Sequence, residues 1–349
     1  LTERDYSGLF GNLSSAKVSN LTINNARIQN SRTTATESYN GILAGWAEAS
    51  AVISDITIRN SYIKAESTLG QVVAAIGVGT LRQGAVMSGV LISGSQLDAY
   101  NSVTYGDAGG LTGCVEDADR YGSTEKTTAI KNSAVIGSTI YGFDNAGSFA
   151  ARLNGTLTIS NCYSDSTVRV TKSNAGGMIS SGTGADCNLI ISNSYFAGKV
   201  IADDTTDANI GGVIGLLTAA DRTFTNVYFA TDIAGTDKIA GNLENSEITG
   251  VSGMTAIEMA YQSAAKQGIY ADFAANQVDG EQPWLTKAPQ DGTYYLPYFY
   301  AEGIPSVTSP FKGGDGTDEN PFEIWTYADL EMMSYLVNNE NATYSSKSY

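Results

Sequence analysis

Among groups able to do acid-base, nucleophilic or metal chemistry, this 349-residue chain holds clustered carboxylates, three cysteines and no histidine. Without histidine, an HExxH zinc site and Ser-His-Asp or Cys-His pairs are absent. Carboxylates gather as Glu116, Asp117 and Asp119, and again as Asp203, Asp204 and Asp207. Glycoside hydrolysis needs two carboxyls facing one bond, and both groups fall in stretches read as inter-strand loops, where acids solvate turns. A third group, Asp315, Asp318 and Glu319, has the hard oxygens of a calcium site, but it also reads as a turn before Pro321. Calcium is therefore the one ion left open, and no other cofactor is indicated. Cys114, Cys162 and Cys187 are odd in number and lack metal-site spacing. Cys162 aligns with Leu21, Ile56 and Val227, as a small core residue would.

These groups are set in a repeat. Gly8, Gly41, Ala74, Gly110, Gly147, Gly177 and Gly212 recur 30 to 37 residues apart. Two positions later stand Phe10, Leu43, Ile76, Thr112, Phe149, Ile179 and Ile214. After a gap of 12 to 22 residues comes a second anchor, Asn20, Asp55, Gly89, Asn132, Asn161, Asn193 and Asn226. These residue types accept a left-handed backbone most readily, which predicts a corner there. Apolar residues lie two before each corner, from Val18 to Phe224, and three after it at six of seven positions, from Ile23 to Phe229. One such unit has too little apolar surface to offset the entropy of ordering it, so the units must stack. Stacked coils about 4.8 Å apart, with one apolar interior, predict an all-β, right-handed parallel β-helix of seven coils, on the order of 33 Å long. A β-sandwich gives no reason for columns this regular.

Two residues after the corner stand Tyr163, Tyr195 and Tyr228, whose alternation with inward columns predicts an outward aromatic ladder for sugar rings or a protein partner. Stacking between coils is their structural alternative. The earlier coils place Thr22, Thr57, Leu91 and Ala134 there.

The formal charge of -16, from 36 acidic against 20 basic residues, argues against nucleic acid and anionic membrane as partners. No apolar run reaches the roughly 18 residues that cross a bilayer. All six prolines fall from Pro283 onward, where they end a ladder that proline would interrupt. Before them, Thr255-Ala-Ile-Glu258 is a capping box, predicting a helix to about Gln267. The chain is thus expected to comprise a repeat domain at 1–245, a helix-containing lid at 246–300, and a linker with the start of a further module at 301–349.

The phrases AGSFAARLNGTLTISNCYSDSTV, AGGMISSGTGADCNLIISNSYFAGKV and IGGVIGLLTAADRTFTNVYFATDIAG resemble the GLUG motif, which recurs in large bacterial surface proteins and beside the catalytic part of some IgA peptidases. The resemblance covers roughly residues 6 to 300. It implies an extracellular, bacterial-surface β-helix and says little of activity. FKGGDGTDENPFEIWTYADLEMMSYLVN resembles the opening of such a domain, with a strand at 322–325 and a helix from about Tyr327. Phe322, Ile324, Leu330 and Leu336 are the residues expected to join a neighbouring copy or following module. A start at Leu1 rather than Met suggests an excerpt or a processed chain. The expected function is a non-catalytic spacer, adhesin or filament unit, with host glycan or protein as possible ligand. The alternatives are a polysaccharide-binding or polysaccharide-degrading β-helix and a passive module of a secreted peptidase.

Overall fold

A computed structural model describes residues 4–32, 37–68, 70–99, 105–116, 127–183, 187–218, 221–260, 268–276, 284–288, 293–308, 311, 313–314, 316–325, 329–330, 333–334, 337–338 and 344–349. It is an all-β solenoid in which each full coil contributes one strand to each of four sheets. Coil one supplies Arg4–Ser7, Phe10–Ser14, Lys17–Asn24 and Arg27–Arg32. Six coils are complete, and a seventh adds Asn209–Gly211, Ile214–Leu217 and Asp221–Ala230. All inter-coil pairing between these strands is parallel.

The Asn corner lies where the spacing puts it. Asn20, Asp55, Gly89, Asn132, Asn161, Asn193 and Asn226 all have φ between 45° and 68°. Asparagine tolerates this region because its short amide can bond locally. Here the amides bond along the column: Asn161 Nδ2 donates to Asn132 Oδ1 at 3.3 Å and Asn226 Nδ2 to Asn193 Oδ1 at 3.1 Å. The flanking columns hold register, with Val18 opposite Ile53 and Ile23 opposite Ile58, through to Ile191 opposite Phe224 and Phe196 opposite Phe229. Their interior members from coil two onward are buried.

The glycine corner differs by one residue. Gly41 pairs with Ala75 rather than Ala74, and the column continues through Gly109, Gly147, Gly176 and Gly211. A two-residue bend then separates it from the second sheet, where Phe10 is opposite Ala44, and Val78, Thr112 and Ala150 follow. Leu43, Ile76 and Phe149 lie within these bends and are buried. At Gly109 the bend is too tight for a side chain, since a Cβ there would stand 1.7 Å from the Thr112 carbonyl oxygen, whereas coil three fits Ala75 at the equivalent position.

A second left-handed corner, at Asn25, Asn60, Gly94 and Gly137, leads into the fourth sheet. Serines there replace missing ladder bonds. Ser61, Ser95, Ser138 and Ser166 each accept, through Oγ, the N–H of the residue just after the corner in the preceding coil, Ala26, Ser61, Ser95 and Ser138 in turn, at 3.0–3.1 Å. Ser61, Ser95 and Ser138 donate in turn to the carbonyl two residues back. Cys162 is buried in the apolar core as a free thiol.

The edge of coil seven is partly paired by its own continuation. Ile214 bridges Ala240, and the Asn242 side-chain amide exchanges hydrogen bonds with the backbone of Leu217 at 2.8 and 3.0 Å. Val251–Met254 adds an eighth strand to the third sheet. In coil one, Phe10, Val18, Leu21, Ile23 and Ile28 are only partly buried against the core.

By compactness the chain divides into Leu1–Phe229 with Ala234–Gly253, and Ala230–Ile233 with Met254–Tyr349. In the second unit the capping box forms: Thr255 N donates to Glu258 Oε2 at 2.8 Å, and Glu258 N to Thr255 Oγ1 at 3.3 Å. It opens a helix, Ala256–Ala260, that buries Ile257 and Met259; the rest of the predicted helix lies outside the described residues. Trp284 is buried against Phe273 and Phe299, beside an antiparallel pair, Thr293–Tyr295 and Ser306–Thr308.

The Asn corner can be tested by its conformation. Asn161→Val and Asn161→Gly lose the same amide, but only valine must strain at φ 51°. Asn161→Val should therefore cost about 1–3 kcal/mol more than Asn161→Gly in urea unfolding. Equal losses would show that the amide bond, and not the backbone angle, selects asparagine.

Candidate functional site

Outward-facing chemistry concentrates where the fourth sheet turns back into the first, across coils four to seven. Tyr141, on Thr139–Gly142, is the register partner of Arg169, on Thr167–Val170. The Arg169 guanidinium lies 4.6 Å over the Tyr141 ring, and its Nε donates to Asp203 Oδ1 at 2.7 Å. Tyr141 closes the triangle, its hydroxyl donating to Asp203 Oδ2 at 2.5 Å. Burial and then the Asp203 bond push the Tyr141 phenol up. Although slight burial alone would raise Asp203, the Arg169 and Tyr141 bonds hold it below the usual carboxylate range.

A second column repeats this order. Lys172 Nζ lies 4.6 Å over the Phe143 ring, and Asp204 follows in the next coil, where its N–H donates to the Thr171 carbonyl at 3.0 Å. Asp204 is held low by the Thr206 N–H bond, with a smaller contribution from the Lys172 charge. Beside this column Lys172, Ser173, Asp204, Asp207 and Ala208 line a cavity of about 160 Å³. Ser173 sits at φ 80°, a strained angle for a non-glycine residue. Its hydroxyl donates to Asp144 Oδ1 at 3.3 Å. Asp144 is 8% exposed, its Oδ2 has no hydrogen-bond partner among the described residues, and burial pushes its carboxyl up.

Other charged groups pair inside an angle between the first and second sheets. Asp107, 1% exposed, accepts from Asn145 at 2.7 Å and Gln71 at 3.0 Å, and Arg152 Nε lies 3.0 Å from it. That N–H is off the line of Oδ2, so the Arg152 contact is Coulombic rather than a linear hydrogen bond. Toward coil one this angle is filled by Tyr6, Tyr39 and Trp46, with the Arg82 guanidinium 5.3 Å from the Trp46 ring. Glu116 is half-buried beside Cys114, a free thiol that burial pushes well up; Asp117 and Asp119 lie outside the described residues.

The predicted tyrosine ladder is in register but is not an open strip. Tyr163 and Tyr195 stack at 5.4 Å and 12°, and both are fully buried; Tyr228 is half-buried. Alternation turns them from the coil interior without saying what packs on the outer face. Burial, with Tyr163 and Asp165 nearby, pushes the Tyr195 phenol well up.

The tail also differs from expectation. Phe322 is buried against Phe311, Tyr344 and Tyr349, and Ile324 packs on the same cluster, so neither is presented for joining another chain. Leu330 is 46% exposed and Trp325 69% exposed, while Leu336 lies outside the described residues. No strand forms at 322–325; residues 329–330, 333–334 and 337–338 are helical. Of the calcium group, Asp318 accepts from the Ser348 hydroxyl, Glu319 is exposed, and Asp315 lies outside the described residues. Among the described residues no three Asp, Glu, His or Cys side chains are grouped to hold a metal ion.

Tyr141, Arg169, Phe143 and Lys172 escaped the sequence reading, which aligned only the glycine and Asn anchors. Aligning the fourth strands as well would have brought Tyr141-Gly-Phe143 over Arg169-Val-Thr-Lys172.

The fold and this corner define a parallel β-solenoid carrying a polar surface pocket. No protein-family model matches the chain, and no curated protein does, so the GLUG resemblance remains a likeness of motif. A solved structure described as "a putative immunoglobulin A1 protease from Bacteroides ovatus" is similar over 80% of this chain and 74% of that one, at 18% identity and a TM-score of 0.46.

Two outcomes follow. Tyr195→Ala should lower stability by about 3–5 kcal/mol, as for other large buried rings, read by urea unfolding; a loss under about 1 kcal/mol would mean the ring is not packed. In the second unit Lys347 Nζ lies 2.5 Å from Glu258 Oε1. Burial alone would raise Glu258, but the bonds from Lys347 and Thr255 hold it below its usual value of 4.5. A lowered carboxyl stabilises the fold above its unfolded pKa and ceases to as pH falls through the folded one. The second unit should therefore lose stability below about pH 4.5, and Glu258→Gln should flatten that part of a pH-melting profile.

Proposed function

We propose that this chain is a non-catalytic structural module of a bacterial surface, a stiff segment that carries or spaces other parts. The observation that carries the reading is the unbroken parallel pairing of four sheets through coil after coil, with corner amides and serine hydroxyls bonded along the same axis. Such a stack resists bending and shear because each coil is tied to two neighbours at many points. The charged groups outside the core support the same reading. Asp107 is engaged by Arg152, Asn145 and Gln71, and Asp203 by Arg169 and Tyr141, as structural pairs are. Placement on a bacterial surface rests on the GLUG-like repeat and on the acidic composition.

The reading is tested by incubating the purified chain with a panel of polysaccharides and with immunoglobulin A, following new reducing ends and peptide cleavage. No turnover is expected. Turnover that disappears on Asp107→Asn or Asp203→Asn would overturn the proposal and make the chain an enzyme.

A further inference from the structure

We infer that the corner cavity of coils five to seven binds one residue of a neutral glycan. The inference rests on the reading of the chain as a non-catalytic surface module and gives that module a ligand class. The cavity's about 160 Å³ would hold roughly five waters at the bulk share of about 30 Å³ each, the scale of a single sugar ring.

Its chemistry selects hydroxyl groups. Lys172 can only donate, the carboxylates of Asp204 and Asp207 can only accept, and Ser173 can do both. A ligand satisfying all of them must donate and accept over a few ångströms, as vicinal hydroxyls do. The ammonium inside the lining disfavours a bound cation. Two carboxylates beside it, in a chain of net charge -16, disfavour a uronate or other acidic sugar.

An aromatic ring borders the cavity on the side of the earlier coil, where Lys172 lies over Phe143. Asn145, Asn174 and Asn209 are register partners, and Asp107 pairs with Asn145. Phe143 is half-buried and lies against Gly106 of the coil before, while the loops that lead to Asn174 and Asn209 carry Lys172 and Asp207. The next residue of the glycan would lie on the Phe143 side while the first occupies the cavity. Lys172 is held over the Phe143 ring and Ser173 is tied to Asp144, so the donors are oriented before a ligand arrives.

The test uses the full chain with neutral methyl glycosides and short neutral oligosaccharides, by saturation-transfer NMR and calorimetry, together with Asp207→Asn and Lys172→Met, two residues that line the cavity. Both positions are exposed, so melting temperatures should not change. At least one neutral oligosaccharide should bind with a Kd below 10 mM, taken here as about 3 kcal/mol of binding. Each variant should weaken it about tenfold or more, the scale of one lost charge-assisted bond. Absence of binding across the panel by the folded wild-type chain overturns the inference. So does binding that both variants leave unchanged, or displacement by free amino acids, which would assign the cavity to a zwitterion. Release of reducing ends from a bound glycan would sink the non-catalytic reading while leaving the site in place.

Discussion

The structure depends on one constraint: every coil must return to the same height on the axis, so that its backbone can pair with the coils above and below. The left-handed corner at Asn20 and its six equivalents meets that constraint, because a residue with φ near 50° bends the chain within its strand without leaving the ladder. Asparagine pays little steric cost there and adds an amide that bonds to the next coil. With the corners stacked, the apolar columns on either side fall into one interior. The outward columns are aligned by the same register, and this is how residues far apart in sequence, such as Arg169 and Asp203 at a separation of 34 and Tyr141 and Asp203 at 62, become neighbours.

Polar groups complete the corners rather than competing with the sheets. The serine column before the fourth sheet turns each hydroxyl into a substitute for a ladder bond, accepting from the coil before and donating within its own coil at Ser61, Ser95 and Ser138 and back to Val135 at Ser166. Asn242 does the same for Leu217 at the last coil. A corner without such groups would leave buried N–H groups unpaired, at about 1–3 kcal/mol each. The cations follow similar logic: Arg169 is held between the Tyr141 ring and the Asp203 carboxylate, and Lys172 lies over the Phe143 ring.

Much of this was readable in the residues, and the parts that were not have physical reasons. The Asn anchor aligned without slip because each coil has one such residue between strongly apolar neighbours. The glycine anchor slipped by one because small residues occur there in pairs, as in Ala74-Ala75, Gly109-Gly110 and Gly176-Gly177, and composition alone cannot say which closes the bend. For Tyr163 and Tyr195, period-two alternation separates the two faces of a strand but does not report whether the outer face is covered. Phe322 and Ile324 were read as joining residues from motif likeness, yet Phe311, Tyr344 and Tyr349 claim them locally. The cavity at Lys172 depends on the juxtaposition of two successive loops, which no single segment encodes.

The central claim is that stability is collective along the axis, each coil held by its neighbours. Amide hydrogen exchange read along the chain tests it most directly. Third-sheet amides should exchange slowest in coils with a neighbour on both sides, from Val52–Arg59 to Asn188–Phe196, and faster in Lys17–Asn24 at the sheet's end. Protection as high in Lys17–Asn24 as in the middle coils, or a middle coil that exchanges freely while its neighbours stay protected, would contradict the account.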